Sequence, residues 1–285
     1  MIWEENEKMA DHVKVALAQI SCKVGDKAYN THKMAAYVTK AGKQKADLII
    51  FPELSLTGYT MRDRTYELAE AIPGPSSEKM EVLAKKNSMH IIYGMIERSE
   101  KANAVIHNTA VLVSPDGTVG CYRKMHLPTH SIFEEKRYFR QGYDAPVYST
   151  SIGRIGMIIC YDIFFPEITR LLRLKGAELI ACISASPAIR RHYFETLTTA
   201  RALENTVYLA YVNLVGIEDG LQFWGGSRLI TPSGKIVTQA KYDEDDMALG
   251  VIDYTDLDRT ETFVPALRDL RPEMFKELKD LAEKL

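Results

Sequence analysis

Three residues of the types used in covalent catalysis each come at the end of a predicted β-strand. They are Cys160, Glu53 and Lys124. A thiol can attack as a nucleophile, a carboxylate can act as a general base, and an ammonium can stabilise an oxyanion. Because α/β folds build their sites at the carboxyl ends of strands, these positions predict one site for nucleophilic catalysis. The backbone N–H groups from Tyr161 onward are further candidate oxyanion donors.

The remaining cysteines do not indicate a different chemistry. Cys22, Cys121 and Cys182 are widely spaced and no Cys-x-x-Cys pair occurs, so we expect neither a disulfide framework nor a zinc site. These three are expected to be small buried side chains. Since no histidine stands near Cys160 in the sequence, a cysteine–histidine pair of the protease type is not indicated. The activating base would then be Glu53.

The segments that must position these residues alternate between strand and helix patterns. The first half follows a β-α-β-α-β order and ends in a hairpin around the turn at 114–117. The second half repeats this plan and ends in a hairpin around 231–234. The repetition predicts an α/β fold with two similar sheets packed face to face and helices outside.

The bulk composition sets limits on the class of protein. The 285 residues are 46% hydrophobic with a formal net charge of -2, so we expect a large core and no nucleic-acid partner. No apolar segment is long enough to cross a bilayer, and the polar start, 1–11, does not read as a secretory signal. We therefore expect a cytoplasmic protein. Without a linker between the halves, we predict a single domain over 1–285, with an N-terminal extension (about 1–12) and a C-terminal arm (about 263–285).

Several motifs occur in the order that is found in the nitrilase, or carbon–nitrogen hydrolase, superfamily, and the chain resembles that superfamily over nearly its whole length. The motifs are Phe51-Pro52-Glu53-Leu54 with Thr57-Gly58-Tyr59, Arg123-Lys124-Met125-His126-Leu127-Pro128, Gly156-Met157-Ile158-Ile159-Cys160-Tyr161-Asp162 with Phe165-Pro166-Glu167, Ala200-Arg201-Ala202-Leu203-Glu204-Asn205, Gly226-Ser227 with Pro232-Ser233-Gly234, and Leu267-Arg268-Asp269-Leu270-Arg271-Pro272. Arg201 and Glu204 of the helix motif are expected to be structural residues, ion-paired near an interface.

The resemblance implies a four-layer αββα sandwich that forms homodimers or higher homo-oligomers. It also implies a second glutamate, which the pattern Glu-x-x-Tyr-Phe assigns to Glu135 rather than Glu134. Glu53 would take the proton of Cys160, the sulfur would attack the substrate, and Lys124 would hold the oxyanion. Glu135 would orient Lys124 or the substrate. No metal or organic cofactor is implied.

The substrate class is less constrained by the sequence. Tyr161-Asp162 after the cysteine resembles the amidase and carbamoylase branches, whereas nitrilases usually have Trp-Glu there. Some carbamoylases place an arginine four or five residues after the cysteine to bind a carboxylate, and this chain has Phe164 and Phe165 instead. We therefore expect a small neutral amide as substrate, with Ser186 also lining the pocket. Hydrolysis of N-carbamoyl amines or amino acids, or of nitriles, remains an alternative.

Three other classes of protein are alternatives to this prediction. A non-catalytic scaffold of the same fold is disfavoured by the intact Glu53, Lys124 and Cys160. A metal-dependent phosphoesterase would need several acids and histidines at strand ends, and only one strong acid stands there. An amidase subunit that supplies ammonia to a synthetase stays open, because a separate partner leaves no mark in this sequence.

Overall fold

A computed structural model describes residues 12–284. The predicted N-terminal extension lies outside the described residues except for His12, which begins the first strand. The strands are β1 (His12–Gln19), β2 (Leu48–Ile50), β3 (His90–Arg98), β4 (Ile106–Ser114), β5 (Gly117–Arg123), β6 (Val147–Thr150), β7 (Gly153–Ile159), β8 (Leu179–Ser184), β9 (Tyr208–Asn213), β10 (Val215–Glu218), β11 (Leu221–Trp224), β12 (Arg228–Ile230), β13 (Ile236–Gln239) and β14 (Asp246–Asp253). The helices are α1 (Lys27–Lys43), α2 (Thr65–Leu68), α3 (Pro75–Asn87), α4 (Glu135–Tyr138), α5 (Pro166–Leu174), α6 (Arg191–Asn205), α7 (Thr255–Phe263) and α8 (Pro272–Ala282).

Two six-stranded mixed sheets form the centre of the fold. The first has the order β14-β1-β2-β3-β4-β5 and the second β13-β12-β9-β8-β7-β6. In each sheet the three central strands run parallel, β1-β2-β3 in one and β7-β8-β9 in the other. Because parallel neighbours end at the same edge, the residues after β2 and those after β7 and β8 are brought to sheet edges where loops can converge.

The alternation of side chains along β1 shows how the layers pack. Val15 and Leu17 point into a core shared with residues of the second sheet, such as Ile158. Ala16 and Ala18 point the other way, into a core with residues of α1 and α3. Helices α5 and α6 cover the outer face of the second sheet. The predicted α/β fold with four αββα layers is therefore confirmed.

The two predicted hairpins appear as β4–β5 and β12–β13, although the second is shorter than its sequence pattern indicated. Several elements were not predicted, among them three strands. Strand β14 completes the first sheet beside β1, and β10 and β11 form a separate two-stranded ladder. In the described part of the chain, no helix has the length and apolar character needed to cross a membrane. Helix α8, within the predicted C-terminal arm, has no buried residue.

Candidate active site

Glu53 is completely buried just after β2, and three donors hold its carboxylate. Oε1 accepts hydrogen bonds from Lys124 Nζ and Asn108 Nδ2, both at 2.7 Å, and Oε2 accepts the backbone N–H of Ala185 at 2.7 Å. The next residue, Leu54, has a positive φ of 49° that turns the chain sharply after the strand. The carboxylate is thus fixed in one orientation, as a general base requires.

Lys124 leaves the end of β5 and is also buried, with 1% of its surface exposed. Its Nζ lies 2.7 Å from Glu53 Oε1 and 2.7 Å from Glu135 Oε1. Burial disfavours the ammonium, but the negative charges of Glu135 and Glu53 outweigh burial and raise the pKa of Lys124. Lys124 therefore stays positively charged, which suits it to stabilise an oxyanion.

Glu135 begins α4, and it is this acid rather than Glu134 that the structure places at the ammonium of Lys124. Its Oε1 also accepts a hydrogen bond from the Tyr59 hydroxyl at 2.7 Å. Its Oε2 is buried without a hydrogen-bond partner among the described residues. Burial raises the pKa of Glu135, against the opposing effect of Lys124. The second glutamate thus contacts the same ammonium as Glu53.

Cys160 follows β7 directly and starts a 3₁₀ turn that spans Cys160–Phe164. Its φ of 48° is unusual for a residue with a side chain, and such strain is common at nucleophiles on strand-to-helix turns. The thiol is buried, and it lies close enough to Glu53 and Lys124 for both charges to affect its pKa. Burial and the Glu53 charge raise its pKa, while the Lys124 charge lowers it. The fold therefore gathers the predicted thiol, carboxylate and ammonium in one place.

Two residues outside this cluster fix the cysteine turn. Asp162 is fully buried and accepts hydrogen bonds from Tyr122 Oη at 2.7 Å, from the backbone N–H of His126 at 2.9 Å and from the backbone N–H of Ile159 at 3.0 Å. Since Tyr122 and His126 flank the lysine along the chain, Asp162 ties the cysteine turn to the lysine segment. Arg201 donates from Nε to the carbonyl of Ile163 at 2.9 Å, on the same turn.

Arg201 also forms the expected ion pair with Glu204, three residues along the same helix. The guanidinium lies against the cysteine turn rather than in the cavity beside the thiol. Its role in the fold is therefore to bind the carbonyl oxygens of that turn.

A small cavity opens beside Cys160 with a volume of about 20 Å³, which is room for one water molecule. The predicted pocket residues Tyr161, Phe164 and Ser186 all line it. The Tyr161 and Phe164 ring centroids are 5.4 Å apart. The other lining residues are Pro128, His130, Phe133, Pro187, Arg190 and Phe194. An acyl group is larger than one water molecule, so this mostly apolar wall has to move to admit a substrate.

Four residues at the site were not assigned roles from the sequence. Asn108 and Tyr59 hydrogen-bond the two glutamates, Asp162 links two motifs, and Arg190 lines the cavity. Tyr59 and Asp162 stand within quoted motifs, so a signal for them existed. Asn108 is an interior position of β4, where a polar residue in an apolar strand was the available signal. No sequence feature distinguished Arg190 from its neighbour.

An αββα sandwich that gathers a carboxylate, an ammonium and a thiol at its strand ends has the arrangement of a hydrolase. The chain belongs to the carbon–nitrogen hydrolase family, whose family model matches residues 14–262. It is 35% identical to a nitrilase of Pyrococcus abyssi over 85% of this chain and 90% of that protein. It is 32% identical to an (R)-stereoselective amidase of Pseudomonas sp. over 81% and 82% of the two chains.

The fold is also similar to the crystal structure of a carbon–nitrogen hydrolase from Helicobacter pylori G27. The TM-score is 0.87 with 26% sequence identity, and the match covers 94% of this chain and 98% of that one. These comparisons confirm the superfamily that the motifs predicted.

Proposed function

We propose that this protein hydrolyses small linear amides through a thioester on Cys160. The single observation that carries the proposal is the buried contact of Lys124 Nζ with Glu53 Oε1 at 2.7 Å, next to a strained cysteine turn. Two buried charges with no solvent contact are costly to maintain for stability alone. The resemblance to an amidase of Pseudomonas sp. supports the same reaction.

The proposed reaction uses each group in turn. Glu53 takes the proton of Cys160 as the sulfur attacks the amide carbonyl carbon, and Lys124 with the backbone N–H of Tyr161 binds the oxyanion. The protonated Glu53 then gives its proton to the leaving nitrogen, the C–N bond breaks and ammonia or an amine departs. Glu53 next takes a proton from water as the water oxygen attacks the thioester; the C–S bond breaks, the carboxylic acid departs and Glu53 returns the proton to the Cys160 sulfur.

A neutral acyl group is supported by the charges of the site. Glu53, Glu135 and Lys124 together carry one net negative charge when both acids are ionised, and a second anion nearby would be repelled. Phe164 and the other rings offer an apolar surface instead. We therefore expect short aliphatic amides to be turned over faster than N-carbamoyl amino acids.

Arg190 favours a second candidate, the hydrolysis of N-carbamoyl amino acids. It supplies the one guanidinium among the cavity-lining residues, and no carboxylate partner for it occurs in the described part of the chain. A guanidinium binds a carboxylate well. Its neighbour Arg191 is a matched control, because that guanidinium stacks on Tyr242 at 3.6 Å and pairs with Glu195. Loss of carbamoylase activity in Arg190→Gln, but not in Arg191→Gln, would favour this candidate.

The deciding experiment is a substrate panel of amides, nitriles and N-carbamoyl compounds with wild type and Cys160→Ala. We expect the wild type to release ammonia fastest from short amides and the variant to release none. Mass spectrometry of the rapidly quenched wild type should show the acyl group on the peptide that contains Cys160. Full activity in Cys160→Ala would refute the thioester mechanism, and preference for nitriles would replace the amide by the nitrile as substrate.

A further inference from the structure

The β10–β11 hairpin takes no part in the proposed reaction, yet it contacts two segments of the site: the segment with Pro187 and the loop after Glu53. Phe223 of β11 forms an isolated bridge with Pro187, which lines the cavity. The Phe223 ring packs edge-on against the Tyr59 ring, with the two centroids 6.0 Å apart. Tyr59 belongs to the loop after Glu53. The hairpin is therefore placed to fix the position of the Pro187 segment relative to the Tyr59 loop.

Glu218, the last residue of β10, makes a buried polar contact between this hairpin and the Tyr59 loop. Glu218 is 4% exposed, and its Oε2 accepts the backbone N–H groups of Tyr59 at 2.8 Å and Thr60 at 3.1 Å. Burial raises the pKa of Glu218, and the two N–H groups oppose the rise. Gly58 makes the close approach possible, because its φ is +79° and an added Cβ would lie 3.2 Å from Glu218 Oε1.

A continuous set of hydrogen bonds leads from Glu218 to the ammonium. Glu218 fixes the backbone of Tyr59, the Tyr59 hydroxyl donates to Glu135 Oε1 at 2.7 Å, and the same oxygen accepts from Lys124 Nζ at 2.7 Å. If the loop shifted, the hydroxyl would leave Glu135, and that acid would lose the contact that fixes its oxygen on Lys124.

We propose that Glu218 is a positioning residue that orients Lys124 through Tyr59 and Glu135. The proposal rests on the proposed function for its effect on turnover. Lys124 acts on the oxyanion in the transition state, so its displacement should lower kcat while KM changes little. A displacement of about 1 Å in a site of this kind can reduce kcat by up to about 100-fold.

The test is a double-mutant cycle of Glu218→Ala and Tyr59→Phe, since both act through one hydroxyl. We expect each single variant to lower kcat and the double variant to be no slower than Tyr59→Phe alone. Glu218→Gln should recover most of the activity because its amide oxygen can still accept the N–H groups. Asp219→Asn is the matched control on the same hairpin. Asp219 pairs with the exposed Arg62, so we expect wild-type kcat.

A second readout separates this proposal from the proposed function. The rate of Cys160 alkylation by iodoacetamide, followed by peptide mass spectrometry, should show the same non-additivity, because Lys124 lowers the pKa of that thiol. A wild type that hydrolyses no amide would defeat the function, and the alkylation cycle would still test Glu218. Additive losses in the cycle, or wild-type kcat and alkylation in Glu218→Ala, would overturn the positioning role. If Glu218→Ala does not fold, the cycle is run with Glu218→Leu, whose side chain is of similar size and cannot accept the two N–H groups, and equal losses with and without Tyr59→Phe would again overturn that role.

Discussion

Replacing Gly94 by alanine tests how closely β3 must approach the Glu53 loop. A Cβ at this position would lie 2.3 Å from the backbone nitrogen of Leu54 and 2.8 Å from the carbonyl carbon of Glu53. Ordinary contact begins at 3.4 Å, so the backbone around Glu53 has to move by about 1 Å. We expect overpacking to lower the free energy of unfolding by about 1–3 kcal/mol. We also expect kcat to fall by about 100-fold, because Glu53 would be displaced from the position in which it takes the proton of Cys160.

The assay is steady-state amide hydrolysis together with thermal unfolding, in which each kcal/mol should lower Tm by about 2–4 °C. Gly250→Ala is the matched control. Its Cβ would meet the side-chain ends of Leu229 and Thr238 at 2.8 and 3.0 Å, and these can rotate away. The control should therefore lose some stability and keep its kcat. The reasoning is refuted if Gly94→Ala retains wild-type kcat, or if both variants lose kcat equally.

Three further variants probe the cluster. Asn108→Ala removes a hydrogen bond to the Glu53 carboxylate. Hydrogen bonds to charged groups contribute about 1.5–3 kcal/mol, so kcat should fall roughly 10- to 100-fold. Steady-state assays measure this, and an unchanged kcat would contradict it. Asp162→Asn should lower both Tm and kcat, because an amide cannot accept from all of the donors that the carboxylate binds, and a Tm equal to the wild type's would argue against it. Burial raises the pKa of Glu135 above the ordinary 4.5. At a pH between 4.5 and this raised pKa, the folded protein therefore holds a proton that the unfolded chain has lost. This contribution to stability disappears as pH rises through the pKa of the folded state. Glu135→Gln should lower kcat, but its Tm should rise relative to that of the wild type as pH increases from about 4.5. A Tm difference that does not change with pH would show that Glu135 does not titrate in this way.

The sequence predicted the parts of the site that local pattern determines. Glu53 and Cys160 each follow an apolar strand and Lys124 follows a hairpin strand, and the parallel strands before Glu53 and Cys160 carry those residues to sheet edges. The turn signals at 114–117 and 231–234 likewise predicted two hairpins of the fold. These features depend on neighbours in the chain, which a single sequence displays.

The remaining features depend on contacts between distant residues. Asn108 and Glu53 are 55 positions apart, and Glu218 and Tyr59 are 159 positions apart, so no local pattern connects them. Strand β14 was missed for the same reason, since its partner β1 lies at the other end of the chain. The backbone conformation at Cys160 also escaped prediction, because a positive φ is normally signalled by glycine.

The charge balance of the cluster explains why the proposed reaction can begin from a neutral thiol. Burial and the Glu53 carboxylate raise the pKa of Cys160, so the resting site holds its proton on sulfur and its negative charge on Glu53. In the attack on a neutral amide, that proton passes to Glu53 and the negative charge passes to the oxyanion beside Lys124. The total charge of the buried cluster then stays constant during the step, and no new charge is introduced into an environment of low polarity. A substrate carboxylate would break this balance unless Arg190 neutralised it, so measurable activity on acidic substrates should depend on that one guanidinium.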